Sequence, residues 1–189
     1  MSPILIAPPL AEPVSLAETK LYLKVDVPDE DDLVRTLITA ARLLVEAACG
    51  RLLIQQTWRL VLDHWPQQGE IRLPLSPVTQ VVAARVYNAA GIPQVLAASA
   101  LEAVAGTDPP LLVIPTAVQP PGRARGGIEI DLLAGYGPMA ASVPQALRQA
   151  ILMLVARWFE LRGDVAGRGD ARLPADVLAL VAPFRRARI

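Results

Sequence analysis

Gly135 and Gly137 lie where a phosphate-binding loop places its glycines, between a strand-like run and a long helix. A phosphate loop has the pattern G-x-x-x-x-G-K-[ST], and a dinucleotide loop has G-x-G-x-x-G opening directly into a helix. Six residues separate Gly137 from Pro144, and they include neither a third glycine nor a lysine. Because the preceding run alternates charged and apolar residues, it resembles a half-exposed antiparallel strand. The loop 135–137 is therefore predicted to be a turn and not a nucleotide site.

A second candidate for chemistry is the single histidine, His64, whose side chain could act as a general acid or base. It lies in the alternating run "QTWRLVLDHWP", between Asp63 and Trp65. A catalytic histidine works with a serine or cysteine nucleophile and an orienting acid, and no nucleophile motif accompanies this one. A structural role is therefore favoured for His64, and no catalytic residue is assigned.

Residue types that bind metals are present, but their positions favour other roles. Cys49, the only cysteine, precedes Gly50 at the end of an apolar helix, which is typical of a small buried side chain. The acidic run 29–32 falls in the first turn of a predicted helix, where it complements the positive end of the helix dipole. Glu129 and Asp131 share one face of a strand, where we expect them to meet solvent. The sequence therefore predicts no metal and no cofactor.

The composition argues against a chain that is recruited by its overall charge. The 189 residues include 18 basic and 18 acidic side chains, so no net charge attracts nucleic acid or an anionic membrane. The loop "PPGRARGG" can touch phosphate through Arg123 and Arg125, but a solvated hairpin loop is favoured. No run reaches the roughly 18 apolar residues of a membrane span. Because 53% of the residues are hydrophobic, some apolar surface is expected to contact another subunit.

The spacing of apolar residues changes twice along the chain. Steps of three and four residues predict helices over 14–50 and 142–163, and short alternating runs predict strands over 55–137. This order predicts an α+β fold with a mainly helical body of two N-terminal helices, one long helix and a short C-terminal helix. A small antiparallel β-sheet or barrel is inserted between the helices.

The end of the chain is predicted to form a separate tail. Residues 1–163 are assigned to the domain, the glycine-rich residues 164–172 to a flexible linker, and 173–189 to a C-terminal docking helix. About two turns of helix are too short to be stable alone, so the tail docks either on its own domain or on a partner. The side chains assigned to this docking are Val177, Leu180, Val181, Phe184, Arg185, Arg186 and Arg188.

The long helix before the linker has two apolar faces. Six consecutive apolar residues, 151–156, leave it little polar surface, so we predict that it is buried nearly all round. One face is predicted to pack into the core of the domain. The second face, formed by Leu152, Ala156 and Phe159, is predicted to pack against a neighbouring subunit.

Five segments, taken in order, resemble the small head–tail connector (adaptor) proteins of long-tailed phages, prophages and gene transfer agents. They are "PVSLAETKLYLKVD", "DEDDLVRTLITAARLLVEAACGRLLIQQTW", "LPLSPVTQV", "AGYG…VPQALRQAILMLVARWFELR" and "LPADVLALVAPFRR". No single segment carries a catalytic motif, but their order is specific and covers nearly the whole chain. Residues 97–127 show no family pattern.

The resemblance implies a structural protein and not an enzyme. Members of this family form a ring, usually of twelve copies, beneath the portal at the head vertex, and DNA passes through its channel. For this chain the resemblance implies a homo-oligomeric ring that binds the portal protein through the C-terminal residues named above. It also implies a tail-side stopper or terminator protein as partner, no sequence-specific binding of DNA and no contact with a membrane. The implied location is the neck of a virion or phage-like particle that assembles in the bacterial cytoplasm.

Two alternatives from other functional classes stay open at this point. One is a small soluble enzyme or ligand-binding protein that uses His64 or the loop 135–137. The other is a free-standing protein-binding module that is unrelated to virions.

Overall fold

The computed structural model describes residues 2–97, 101–104, 106–115, 118–161 and 173–186. Its contacts divide the chain into two units. We call them the β unit, Met1–Leu10 with Gln55–Tyr136, and the helical unit, Ala11–Ile54 with Gly137–Ile189. The α+β fold class predicted from the sequence is confirmed, because helices and two small antiparallel sheets are both present.

The β unit is built from short strands. Those in the described residues are β1 Ser2–Ala7, β2 Gln56–Leu62, β3 Glu70–Arg72, β4 Val78–Tyr87, β5 Pro93–Leu96, β6 Glu102–Val104, β7 Leu111–Val113 and β8 Ile128–Ala134. A five-stranded antiparallel sheet has the order β1-β2-β8-β4-β5, and a three-stranded sheet has the order β3-β7-β6. Of the two forms left open by the sequence, sheet or barrel, the described strands adopt open sheets.

One face of the larger sheet carries the core of the β unit. The register aligns Leu60 on β2 with Ile130 on β8 and Ala84 on β4, and all three side chains are fully buried. Ile71 and Leu112 from the smaller sheet belong to the same apolar cluster. The alternation seen in the sequence therefore places one set of side chains between the two sheets and leaves the other set on the opposite face.

Strand β1 was not predicted from the sequence. The run "SPILIA" contains three successive aliphatic residues and a proline, so it shows neither strand-like alternation nor helical spacing. In the structure it pairs antiparallel with β2, with Ile4 opposite Arg59. Tertiary pairing with an already formed strand, and not local pattern, makes this segment extended.

The helical unit contains four α-helices among the described residues. They are α1 Leu16–Leu23, α2 Asp31–Cys49, α3 Gln145–Glu160 and α4 Ala175–Val181. Helix α3 contacts each of the other three, and α2 also contacts α1 and α4. Their buried apolar side chains include Val34, Ile38, Ala41, Val45, Leu147, Ile151, Leu154, Val177 and Val181. The buried side chains of α2 recur at steps of three and four residues, as expected for a helix with one buried face.

Polar side chains fix the start of α1 and join it to α3. The Ser15 hydroxyl accepts a hydrogen bond from the Glu18 N–H at 3.1 Å, which caps the helix. The Glu18 carboxylate binds Arg148, with Nη2 2.8 Å from Oε1. Arg148 Nε also donates to the Pro13 carbonyl at 3.0 Å. Of the acidic run 29–32, only Asp31 and Asp32 occupy the first turn of α2, because Asp29 and Glu30 belong to a short 3-10 helix that precedes it.

Candidate functional site

The residues weighed for catalysis do not form a catalytic arrangement in the structure. His64 is exposed in the bend that follows β2, outside the strand itself. Burial raises the pKa of the Cys49 thiol, which is 1% exposed, so the predicted role of a small buried side chain is confirmed. In the part of the chain that the structure describes, no group of three or more His, Cys, Asp or Glu side chains can hold a metal ion.

The glycines of the loop 135–137 serve the backbone. Gly135 has φ of 130°, and its N–H donates to the Pro77 carbonyl at 2.9 Å, so this donor is not free for a phosphate. At Gly137 an added Cβ would lie 2.5 Å from Ser142 Oγ, closer than side-chain atoms approach each other. These positions require glycine for chain geometry, and residues 135 and 136 form a bend that follows β8.

A cluster of charged side chains lies on the face of the five-stranded sheet opposite its apolar core. Asp131 on β8 receives two hydrogen bonds from Arg59 on β2, at 2.7 and 3.0 Å, and one from Arg85 on β4 at 2.8 Å. Glu129 lies 3.1 Å from Arg59 Nη1 and accepts a hydrogen bond from the Tyr87 hydroxyl at 3.0 Å. The expectation that Glu129 and Asp131 simply meet solvent is therefore wrong.

The electrostatics of this cluster keep Asp131 ionised. Burial alone raises the pKa of its carboxyl, but hydrogen bonds and positive charge from Arg59 and Arg85 outweigh burial, so the pKa lies below its usual range. The sequence showed charged residues on three strands, but only the strand register reveals that they meet. Among the described residues, every buried side-chain nitrogen or oxygen has a hydrogen-bond partner, so none is left over to recognise a ligand.

The C-terminal residues assigned to docking have mixed positions in the helical unit. Val177 and Val181 are 1% and 0% exposed, whereas Leu180 and Phe184 are partly exposed and Arg185 is exposed. Arg188 and the predicted linker 164–172 lie outside the described residues. Two side chains of the predicted docking helix α4 therefore belong to the core of this chain.

The chain after α4 is fastened to the end of α2. Arg51 Nε donates to the Phe184 carbonyl at 2.7 Å, and the Arg186 N–H donates to the Cys49 carbonyl at 3.0 Å. Gly50 ends α2 with φ of 69°, and Arg186 Cδ lies 3.4 Å from the place where a Cβ on Gly50 would be. Of the two possibilities for the tail, docking on its own domain is the one seen in this structure.

The second apolar face of α3 lies partly at the surface. Leu152 is 5% exposed, while Ala156 and Phe159 are partly exposed. Ala156 lines a groove of about 250 Å³ bounded by α1, α3 and the start of α4. The walls of this groove are Tyr22, Met153, Ala156, Arg157, Glu160, Pro174, Asp176 and Val177. Such a concave, partly apolar surface suits contact with another protein better than catalysis.

This chain is similar to one protein family and to chains in the solved structures of several particles. A family model described as "Head completion protein" matches residues 12–186. A chain in the virion of a native gene transfer agent (GTA) particle has a TM-score of 0.81 at 29% identity, over 100% of this chain and 97% of that one. Chains in the neck of an empty particle (C6 symmetry) and of a native one (C12 symmetry) match with 28% and 29% identity, TM-scores of 0.81 and 0.75, and the same coverage. No curated protein sequence matches.

The family and the neck structures support a structural role as a head–tail connector, and nothing in them favours the alternative of an enzyme that uses His64 or the loop 135–137. Among the described residues, no helix is both long and apolar enough to cross a membrane. The chain, matched over residues 12–186, belongs to the head completion protein family.

Proposed function

We propose that this protein is a non-enzymatic connector in the neck of a tailed phage or gene transfer agent particle, where twelve copies form a ring. The observation that carries the proposal is the match over the full chain, at a TM-score of 0.81, to a protein of a gene transfer agent particle. The neck reconstruction with C12 symmetry supports the number twelve. The ring lies between the portal protein and a tail-side stopper or terminator, and DNA passes through it without sequence-specific contacts.

The direct test is electron microscopy of the purified chain with and without its portal protein. We expect a ring in register with the portal and a continuous central channel. In lysates that contain particles, the chain should co-sediment with them. A chain that stays monomeric beside the portal and remains in the soluble fraction would contradict the proposal and favour a free-standing binding module.

For the portal contact we propose the exposed part of the C-terminal segment, with Arg185 at its centre and Leu180, Phe184 and Arg186 around it. Val177 and Val181 can take part only if α4 leaves the core, because both are buried. Deleting 173–189 would remove these core residues, so a deletion cannot separate loss of binding from loss of folding. A substitution at the surface is the sharper experiment.

Arg185→Glu should weaken binding to portal rings by about tenfold or more, because reversal of one charge is repeated in every copy around the ring. The matched control is Arg35→Glu, since Arg35 is also exposed and its ion pair with Asp32 is on the surface. Biolayer interferometry on immobilised portal rings measures the effect. Equal binding by the two variants would remove Arg185 from the contact.

For the contact between neighbouring copies we propose the partly exposed part of the second α3 face, Ala156 and Phe159, with the groove beside Ala156, because Leu152 is buried within this chain. Ala156→Glu adds a charge at a partly exposed helical position, so it should reduce ring assembly at least tenfold while the monomer stays folded. Ala40→Glu is the matched control, because Ala40 is an exposed residue of α2. Analytical ultracentrifugation reports assembly, and circular dichroism reports folding. Assembly of Ala156→Glu at the level of the control would exclude this face.

A further inference from the structure

Strand β1 presents an apolar, uncharged sheet edge. Ile4, Leu5 and Ile6 are 49%, 45% and 47% exposed, and β2 is the one partner of β1 among the strands that the structure describes. Free edges of soluble proteins are usually protected by charged side chains, proline, bulges or short strand length, because an open edge can pair with another strand. The run "SPILIA" contains no charged residue, and Pro3 and the irregular register between Leu5 and Ala7 blunt only part of the edge. An edge of this kind is expected to be covered in the working form of the protein.

The opposite edge of the same sheet has the same character. It is formed by β5, "PQVL", which pairs with β4 and carries no charge. Val95 on this strand is 69% exposed, and Ile92 just before it is 62% exposed. Among the described strands, none pairs with the outer side of β1 or of β5, so the five-stranded sheet ends in two apolar edges.

A ring of identical copies related by rotation needs two different surfaces on each copy, one to meet the preceding neighbour and one to meet the next. The two sheet edges could be these two surfaces, because they lie on opposite sides of one sheet. Four antiparallel steps separate β1 from β5, so the two strands run in the same direction. Across neighbouring copies they would meet as a parallel pair.

The dimensions of the sheet are compatible with such a ring. With strands about 4.8 Å apart, five strands and one junction occupy about 24 Å per copy. Twelve copies then give a circumference of about 290 Å, or a diameter of about 90 Å at the level of the sheets. This leaves ample space for a DNA duplex at the centre.

We propose that β1 of one copy lies along β5 of the next copy, so that free sheet edges join neighbouring β units in the assembly. This inference rests on the proposed ring. It is independent of the α3 contact, because β1 and β5 both belong to the β unit. The partner is a second copy of this chain, since every copy carries both uncharged apolar edges and a ring formed by rotation needs two different surfaces on each copy.

The test introduces charges at the two edges and then makes them complementary. Ile4→Lys and Val95→Lys should each raise the concentration needed for assembly on portal rings by about tenfold, because a charge on a sheet edge opposes pairing. Combining Ile4→Lys with Val95→Glu places opposite charges on facing edges, and assembly should return to within about threefold of the unmodified chain. Leu10→Lys is the control, because Leu10 is fully exposed and lies outside β1.

A second measurement covers the case in which a lysine variant fails to fold. The double variant Ile4→Cys/Val95→Cys, assembled on the portal and treated with a short thiol crosslinker, should give a ladder of covalent multimers up to the full ring. The native Cys49 is buried and does not compete. Each single cysteine variant should remain uncrosslinked, because each edge meets the other edge and not itself.

The outcomes separate this inference from the proposed function. Rings that assemble normally from both lysine variants, or that give no crosslinks in the double variant, overturn the edge contact and leave the connector role intact. Crosslinked dimers from Ile4→Cys alone also overturn it, since they show twofold pairing of β1 with itself. Failure of the unmodified chain to form a ring on its portal removes both the function and the edge contact.

Discussion

At the scale of single residues, Asp131 and Glu46 are two buried carboxylates with opposite responses to pH. Asp131 is held ionised by Arg59 and Arg85 on the neighbouring strands. Glu46 accepts hydrogen bonds from Arg42 at 2.9 Å and from the Leu53 N–H at 2.8 Å. Burial nevertheless outweighs these contacts and raises the pKa of Glu46 above its usual value.

Asp131→Asn should lower the free energy of unfolding at neutral pH by about 1–3 kcal/mol, because it leaves two partly buried arginines without their shared charge. Urea denaturation measures this loss. Asp29→Asn is the control, because Asp29 is exposed. Since the pKa of Asp131 is lowered by folding, its contribution is present above the ordinary carboxyl pKa and disappears as the pH falls through the folded pKa. If Asp131→Asn lowers the free energy of unfolding no more than the control does, water solvates Arg59 and Arg85 as well as the carboxylate does.

Glu46→Gln should have the opposite dependence on pH. Because folding raises the pKa of Glu46, its contribution to stability is fully present below the unfolded pKa and is lost as the pH rises through the folded value. The stability advantage of the unmodified chain over Glu46→Gln should therefore be larger at pH 4 than at pH 7. Urea denaturation at a series of pH values tests this. An advantage that grows toward pH 7 would show that the ion pair with Arg42 dominates over burial.

At the scale of elements, the C-terminal helix α4 is too short to be stable alone, and it folds by packing against α3 and α2. Its exposed and buried sides are distinct. Val181 is fully buried, whereas Leu178 is 39% exposed. The connection of Phe184 and Arg186 to the end of α2 extends this packing beyond the helix.

Val181→Ala should lower the free energy of unfolding by about 1–3 kcal/mol, because it removes two buried methyl groups and leaves a cavity. Leu178→Ala, its matched control on the exposed side, should change stability by less than about 0.5 kcal/mol. Chemical denaturation of both variants measures the two changes in the free energy of unfolding. Similar small effects would show that α4 is undocked in solution and available to the portal as a whole helix.

At the scale of the whole molecule, the surfaces proposed for assembly are largely separate from the buried cores of the two units. The interiors of the β unit and the helical unit are apolar, while the surfaces proposed for assembly are the open sheet edges, part of α3 and the exposed C-terminal residues. This separation explains how a chain with 53% hydrophobic residues can fold and still present apolar surface to its neighbours.

The ring proposed for the neck has a defined mass. Twelve copies of a 20.2 kDa chain amount to about 240 kDa, so the portal should gain this mass when it is saturated with connector. Native mass spectrometry of the portal complex measures the gain. A saturated complex with a different whole number of chains would support a ring but show that its number of copies is not twelve.

The sequence by itself determined the fold class and most of the elements. Steps of three and four residues predicted helices over 14–50 and 142–163, where α1, α2 and α3 lie, and alternation predicted β2, β4 and β8. These features depend on local periodicity, which a sequence displays directly. The missing glycine and lysine after Gly137 also excluded a nucleotide loop without any coordinates.

Tertiary structure alone decided which residues meet across the fold. β1 is a strand because β2 lies beside it, and Asp131 is an ion-paired residue because the register places Arg59 and Arg85 next to it. The burial of Val181 likewise follows from the packing of α4 on α3. Each of these results depends on contacts between residues far apart in the chain, and such contacts leave no periodic signal in the sequence.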